Sequence, residues 1–400
     1  MSTAQTVDRD VSWLSLKFND GCYEMVEDGY SNPEPIITLF ARGEDMCQHV
    51  IRVEGFYPYF CVRMTEALDK HEQLNNDHRV RKIETVEPNG DAIVGNNDER
   101  LAKIYTINPK QINGSGYNVR ALRDSFEDTW GADIDFVDRF CYDTDLVDSF
   151  AIPEHLRGSS DPITVDQIKT DDVDCTVNPR IAYFDIEVAQ SDDGPSVVSE
   201  RGKELADNPV TAISIYDNYT REYTAFVLAH DSWTHEDHAV VGTVDMGLNT
   251  DVRIFETEYE LLTDFATYMK KNRFDVLTAW NIGFDMPYLV NRYFTLDHMD
   301  VFSLSPTRSV SSMNGSGSWI NSDIEGLLLF DMLKGFEKAS IHELDDSRLE
   351  TVASEVTDIE KLDIDGIDDA WIDDPSTFVE YSIRDTEAVV EIDNERGILA

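Results

Sequence analysis

The sequence predicts an α/β fold, α+β overall, in which a β-rich amino-terminal domain precedes a second domain built on a mixed sheet. Three observations predict it. Residues 11–65 carry short apolar or alternating runs, WLSLKF, PIITLFA, QHVIRVEG and YPYFCVRM, with Gly, Asn and Pro between them. A Pro-, Ser- and Asp-rich stretch at 153–179 then marks a change of texture. Beyond it strands come first and helices later within one unit, as in a mixed sheet covered by helices. The expected domains are therefore residues 1–178 and 179–400.

In the first domain, residues 64–88 read as a short polar helix and a return strand, and AKIYTI (102–107) as another strand. NVRALRDSFEDTWG (118–131) has apolar residues at helical spacing and a Gly stop, which predicts a helix. In the second domain RIAYFDIEVA, VTAISIYD and YTAFVLAH read as a meander of strands, and 237–251 as an insertion loop. TEYELLTDFATYMKKN (257–272) is an amphipathic helix, DVLTAWN a buried strand, and MPYLVNRYFTL a helix. Residues 303–326, rich in Ser, Asn and Gly, read as a flexible hairpin. LLLFDML is a last strand, followed by helices over IHELDDSRLETVASEV and PSTFVEYSIRDTEAVVEIDNERG.

Composition excludes several classes. Hydrophobic residues make up 41% of the 400, enough for a core, so wholesale disorder is excluded. No apolar run reaches the length of a membrane span, and the start MSTAQTVDRDVSW lacks a secretion pattern, so a cytoplasmic protein is expected. Five Cys at 22, 47, 61, 141 and 175 form no C-x-x-C pair and read as reduced thiols. The net charge is −46, spread along the whole chain, with 12 Lys among the 33 basic residues. We read this as a halophilic surface, because multimolar salt shortens the Debye length to about 3 Å or less and screens the self-repulsion. The alternative is an acidic surface for basic partners.

Asp185 and Glu187 sit two apart in YFDIEV, so both carboxylates face one side of an apolar strand. With 79 acids in the chain the spacing is common; the apolar strand around it is the specific part. Buried acids need a partner, and a divalent cation is a natural one. In WNIGFDMPYL, Asn281 and Asp285 lie one helical turn apart after a buried strand; the plain reading is a helix cap and a first-turn acid. In VEYSIRDTEAVV, Tyr381 and Asp385 share one helix face, and Glu380, five before Asp385, excludes a histidine-type variant. Together, four carboxylates on three segments, one tyrosine and no catalytic Ser or Cys constellation point to two-metal phosphodiester hydrolysis, with the tyrosine orienting the attacking water.

These residues resemble the amino-terminal and 3′–5′ proofreading exonuclease domains of family B DNA polymerases, of haloarchaeal or haloarchaeal-virus type. FDIE is similar to the family's first exonuclease motif, WNIGFD to the second and YSIRD to the third. GFYPYFCV (55–62), GADIDFVDRFCYD (131–143) and GLLLFDML resemble flanking segments, so nearly the whole chain is covered. The resemblance implies a ribonuclease H-like exonuclease domain at 179–400, after a family B amino-terminal domain at 1–178. It implies two Mg²⁺ or Mn²⁺ ions, with Asp185, Glu187 and Asp385 on the tighter one, Asp185 bridging and Asp285 supporting the second. Tyr381 would position the water, Asn281 and Phe284 would lie by the terminal nucleotides, and 303–326 would help move the primer strand. The implied partners are a single-stranded 3′ end or primer-template DNA and a separate polymerase chain or sliding clamp, without a membrane.

The family's polymerase motifs, D-x-x-S-L-Y-P-S and Y-G-D-T-D, do not occur in these residues. A free-standing exonuclease, a split-polymerase piece and a fragment all stay open, as do a non-catalytic scaffold and a nuclease acting on RNA. For DNA contacts, Arg79, Arg81 and Lys82 form one basic cluster and Lys270, Lys271 and Arg273 another, each equally readable as ordinary solvated cations. Base stacking on Phe284 and Tyr288 is the salt-tolerant alternative, with Trp280 read as core.

Overall fold

A computed structural model of the chain describes residues 12–27, 33–95, 98–114, 120–190, 206–296, 299–310, 324–340, 346–359, 362 and 366–399. The chain divides into two compact units, Met1–Val177 and Asn178–Ala400. No helix among the described residues is long and apolar enough to cross a membrane.

In the first unit a long strand, β1 (Trp13–Val26), bends at a bulge between Phe18 and Asp20 and pairs antiparallel with β2 (Glu34–Gly43), which pairs with β3 (Gln48–Glu54). Burial alternates along β3, where His49, Ile51 and Val53 face inward, as the period of a strand requires. Next come β4 (Tyr59–Arg63), two short helices α1 (Met64–Asp69) and α2 (His71–Asn75), β5 (Val80–Glu84), β6 (Leu101–Thr106), the single turn α3 (Lys110–Asn113) and β7 (Thr129–Trp130). The four-stranded sheet has the order β5-β6-β4-β7. Helix α4 (Phe136–Asp143) starts at Asp135, whose side chain accepts from the Val137 N–H at 3.1 Å. Its Phe136 and Phe140 share a core with Leu16, Ile37, Leu39 and Phe150. Two more strands, β8 (Ser149–Pro153) and β9 (Ile163–Thr164), complete a five-stranded sheet of order β8-β1-β2-β3-β9.

The helix expected over 118–131 does not form in the described part of that segment. Arg123–Ser125 make one 3₁₀ turn, Phe126 is extended, and Trp130 pairs with Cys61 of β4. The apolar spacing is real, since Ala121, Leu122 and Phe126 are buried. Asp124, Ser125 and Asp128 are weak helix formers, and the open edge of β4 draws the chain into strand pairing.

In the second unit the meander is β10 (Ile181–Val188), β11 (Val210–Asp217) and β12 (Glu222–Leu228), each antiparallel to the next. The segment expected to be a loop at 237–251 is loop over 242–249 only: its ends belong to α5 (His235–Val241) and to an edge strand, β13 (Thr250–Phe255), parallel to β12. The overlooked signal is the reciprocal Thr234–Asp237 capping box that starts α5. After α6 (Glu258–Asn272), β14 (Val276–Ala279) pairs parallel to β10. After α7 (Ile282–Thr295), β15 (Leu328–Asp331) pairs parallel to β14, giving the order β13-β12-β11-β10-β14-β15. The chain ends with α8 (Met332–Ala339), α9 (Leu349–Val356), α10 (Ile367–Asp373) and α11 (Pro375–Arg396).

This is the mixed α/β architecture expected. Helices α6 and α7 cover one face of the six-stranded sheet around Phe184, Phe226 and Leu277; α5, α8, α9 and α11 cover the other around Tyr183, Ala212 and Tyr223. Helices α8 and α10 were not expected; of the helix expected over 341–356, residues 341–345 lie outside the described residues, 346–348 are not helical and the helix starts at Leu349. Within the expected hairpin, Val310 and Ile324 form an antiparallel bridge; 311–323 lie outside the described residues.

Candidate active site

Strand β10 sits where the sheet changes direction, antiparallel to β11 on one side and parallel to β14 on the other. Its pairing with β14 ends at Tyr183–Thr278, so Asp185 and Glu187 lie beyond it, at the carboxyl end of the strand. That is the crevice where open α/β sheets place ligands. Phe184, Ile186 and Val188 point into the core under α6 and α7. Tyr183, Asp185 and Glu187 therefore point the other way, toward α11.

Helix α11 begins at Asp374, which accepts from the Thr377 N–H at 3.3 Å, has Pro375 in its first turn, and stops at Gly397 in the left-handed region (φ 61°). It lies over β10 in the opposite direction. The Tyr183 hydroxyl donates to Asp393 at 2.6 Å, while Asp385, two turns earlier, meets the acids farther up the strand. Two strand residues advance about 6.6 Å and four helix residues about 6 Å, so acids at i, i+2 and groups at i, i+4 stay in step. The axial position of α11 is fixed by a buried hydroxyl set. Ser214, opposite Asp185 on β11, donates to the Ser382 carbonyl at 2.7 Å and bonds the Thr386 hydroxyl. Ser382 and Thr386 each directly follow a residue of interest, Tyr381 and Asp385.

The outcome is that Asp185, Glu187 and Asp385 bring carboxylate oxygens within 4.8 Å of one another. The three are half-buried. The Tyr381 hydroxyl hydrogen-bonds the Asp385 carboxylate. Asp285 lies in the first turn of α7, 6% exposed, outside that triad but close enough for its charge to act on Asp185.

Electrostatics match the geometry. Burial, then Glu187, Asp285 and Asp385, raise the Asp185 carboxyl well above the usual range. Burial, then Asp385, Asp285 and Asp368, do the same to Glu187. Burial and the charge of Asp331 push Asp285 up to about 8. Burial and the three neighbouring acids raise the Tyr381 phenol, which keeps its proton. Among the described residues no Arg or Lys pairs with Asp185, Glu187 or Asp285. Converging, half-buried carboxylates are a donor set that fits a divalent cation. Asp331 and Asp368 escaped the sequence reading because single acids are unremarkable in so acidic a chain.

Asn281 precedes α7 at the cap position, but its side chain makes no cap hydrogen bond and is exposed. The plain reading of it as a side-chain cap is thus overturned: with ψ at 64° the α7 entry is held by main-chain bonds, Phe284 N–H donating to the Asn281 carbonyl at 2.8 Å. The Phe284 ring is half-buried, 5.7 Å from that of Tyr288. Tyr288 is 1% exposed and donates its hydroxyl to the Asn208 carbonyl, so stacking of a base on Tyr288 is excluded. Trp280 is core, with its indole N–H donating to Ser347 at 2.9 Å. The first basic cluster is spent on acids: Arg79 on Asp77, Arg81 on Glu34 and Lys82 on Glu84.

Comparison with known proteins gives the same direction. Residues 127–352, more than half of the chain, match the profile of the exonuclease domain of DNA polymerase family B. The chain is also similar to the DNA-directed DNA polymerase of Enterobacteria phage T4, 28% identical over 239 residues, which is 55% of this chain and 26% of that protein. The chain thus spans about a quarter of the length of the curated relative it matches. The mixed sheet and its helices agree with a ribonuclease H-like exonuclease domain preceded by a β-rich region. The chain belongs to the family B DNA polymerases, through their exonuclease domain.

Proposed function

We propose that residues 179–400 form a 3′–5′ exonuclease that removes nucleoside monophosphates from the 3′ end of DNA and serves proofreading in replication. Residues 1–178 are the accompanying family B amino-terminal domain. The observation that carries this reading is the meeting of Asp185, Glu187 and Asp385 in a chain of this family. Mg²⁺ or Mn²⁺ ions held by these three residues, with Asp285 supporting the second ion, would supply Lewis-acid activation of water and stabilisation of the leaving 3′ oxygen. Asp185 and Glu187 contribute charge from a rigid strand, and Asp385 from a helix locked to it by Ser214. The Tyr381 hydroxyl, tied to Asp385, orients the attacking water. Exposed Asn281 and half-buried Phe284 flank the terminal nucleotides. The acidic surface suits a salt-adapted cytoplasm, where a polymerase chain or clamp would be the partner.

The test is degradation of a 5′-labelled single-stranded DNA in about 2–3 M KCl, where so acidic a surface is screened. It is run with Mg²⁺, with Mn²⁺ and with EDTA, beside Asp185→Ala and with a matched RNA. A metal-dependent ladder shortening from the 3′ end, absent in the variant, is expected. Cleavage retained by Asp185→Ala would remove the site assignment, and preference for RNA would change the substrate class.

A further inference from the structure

Between α9 and α11 lies a cavity of about 280 Å³ that shares Tyr381 and Asp385 with the acidic centre and extends past them along both helices. Tyr381 and Asp385 form its end nearest the carboxylates, Leu349 and Ala353 line an apolar wall, and Arg384 and Arg348 bring guanidinium groups to it. Its size is at the small end of ligand pockets, roughly 300 Å³ and upward, so it has room for one nucleotide unit and none for a duplex.

Arg384 is placed to give this space a charge. It lies on α11 between Tyr381 and Asp385, and one guanidinium nitrogen donates to Glu387 at 2.8 Å. Its Nε is buried with no hydrogen-bond partner among the described residues, so the ion pair with Glu387 is the tether the structure gives it. The side chain keeps 30% of its surface accessible. Arg348 stands at the other side, 71% accessible and paired with Asp346 and Glu350. In a chain of net charge −46, a guanidinium on the wall of this cavity is the feature that can attract a phosphate into it.

We propose that this cavity receives one deoxynucleotide unit, and that Arg384 is a positioning residue that holds its phosphate. The inference rests on the exonuclease reading above. The unit comes either from the substrate strand or from the released monophosphate, and the two sources share the chemistry of an apolar body with an anionic phosphate.

Steady-state kinetics on 5′-labelled single-stranded DNA would compare the wild type with Arg384→Ala, Arg384→Lys and Glu387→Gln, with dAMP as inhibitor. Arg384→Ala is expected to raise KM about tenfold, as loss of a charge-assisted hydrogen bond does, with kcat changed far less. Arg384→Lys should recover part of the loss. Glu387→Gln neutralises the ion pair but keeps the cation and an oxygen that can accept from it, so KM should stay near the wild-type value; a rise matching Arg384→Ala would show a merely structural ion pair and overturn the proposal. Weakened dAMP inhibition alongside the raised KM assigns the released monophosphate to the cavity as well; a raised KM alone assigns the strand. An unchanged KM in an Arg384→Ala protein that cleaves overturns the inference while leaving the exonuclease reading intact. A wild type that does not cleave defeats that reading instead, and calorimetric titration of dAMP into wild type and Arg384→Ala still decides the cavity, equal affinity counting against it.

Discussion

Ser214 on β11 donates to the main-chain oxygen of Ser382 on α11 at 2.7 Å, and this bond sets where Asp385 stands over Asp185. The Ser214 hydroxyl also bonds that of Thr386, and all three residues are fully buried. Removing it takes one of two bonds from the Ser382 carbonyl, which also serves the helix, and the closer partner from the Thr386 hydroxyl. Ser214→Ala should cost about 0.5–1.5 kcal/mol of stability. It should also raise the Mg²⁺ concentration needed for half-maximal rate, because the helix that carries Asp385 loses its register. Thermal melting and a metal titration of the rate measure the two effects.

Asp185→Ala should abolish cleavage and leave the fold intact. In the metal-free state it should also raise the melting temperature, since it removes one of several acids that burial and mutual repulsion already disfavour as anions. Divalent cation should stabilise the wild type more than the variant. A melting series with and without Mg²⁺ tests both statements.

The same acids fix the sign of a pH effect. Asp185 and Glu187 are raised above the usual carboxylate range and Asp285 is pushed up to about 8. The folded chain therefore holds protons that the unfolded chain releases near pH 4. This contribution to metal-free stability is complete below about pH 4 and is lost as pH rises through about 8. The melting temperature of the metal-free protein should fall over that window. An Asp185→Asn, Asp285→Asn double variant should show a shallower fall in scanning calorimetry at matched salt.

Tyr381→Phe keeps the ring and deletes the hydroxyl that bonds Asp385. The rate should drop by about 10- to 100-fold while the affinity for Mn²⁺ stays within a few fold, as expected for a group that orients water. Equal losses in metal affinity and rate, read from a Mn²⁺ titration, would make the tyrosine structural.

Arg180 enters β10 through a mostly buried pair with Asp217, with nitrogen-to-oxygen distances of 2.5 and 3.1 Å, and also donates to the Asn272 carbonyl. Arg180→Met leaves Asp217, 1% exposed, as a buried acid without its guanidinium. A loss of about 3–5 kcal/mol is expected in denaturant unfolding. Cleavage by the fraction that remains folded should persist.

The second unit was legible where pattern and burial coincide. RIAYFDIEVA, TEYELLTDFATYMKKN and PSTFVEYSIRDTEAVVEIDNERG appear as β10, α6 and α11 with nearly the expected limits. Local periodicity failed where pairing decided instead: Thr129–Trp130 became a strand because β4 offered an edge. It failed again at α5, a crossover helix too short to show a period. For the site, spacing located the acids on β10 and α11, because i, i+2 and i, i+4 are local facts. Spacing could not show that Ser214 would stand beside Asp185, or that Asp331 and Asp368 would lend charge to Asp285 and Glu187, since those neighbours arise only when separate elements meet. Tyr288 misled for the same reason, a base-stacking candidate by type that the fold turned inward.

Asp185 and Asp385 are two hundred residues apart, and the second rides on the final helix of the unit. During synthesis every strand of the six-stranded sheet leaves the ribosome before α11 does. A nascent chain can therefore complete its sheet while Asp185 and Glu187 still lack their third carboxylate. For the exonuclease proposed here, the carboxylate set is then the last part to be completed, when α11 docks. Any condition that lets that helix detach would disperse the carboxylate set without unfolding the sheet beneath it.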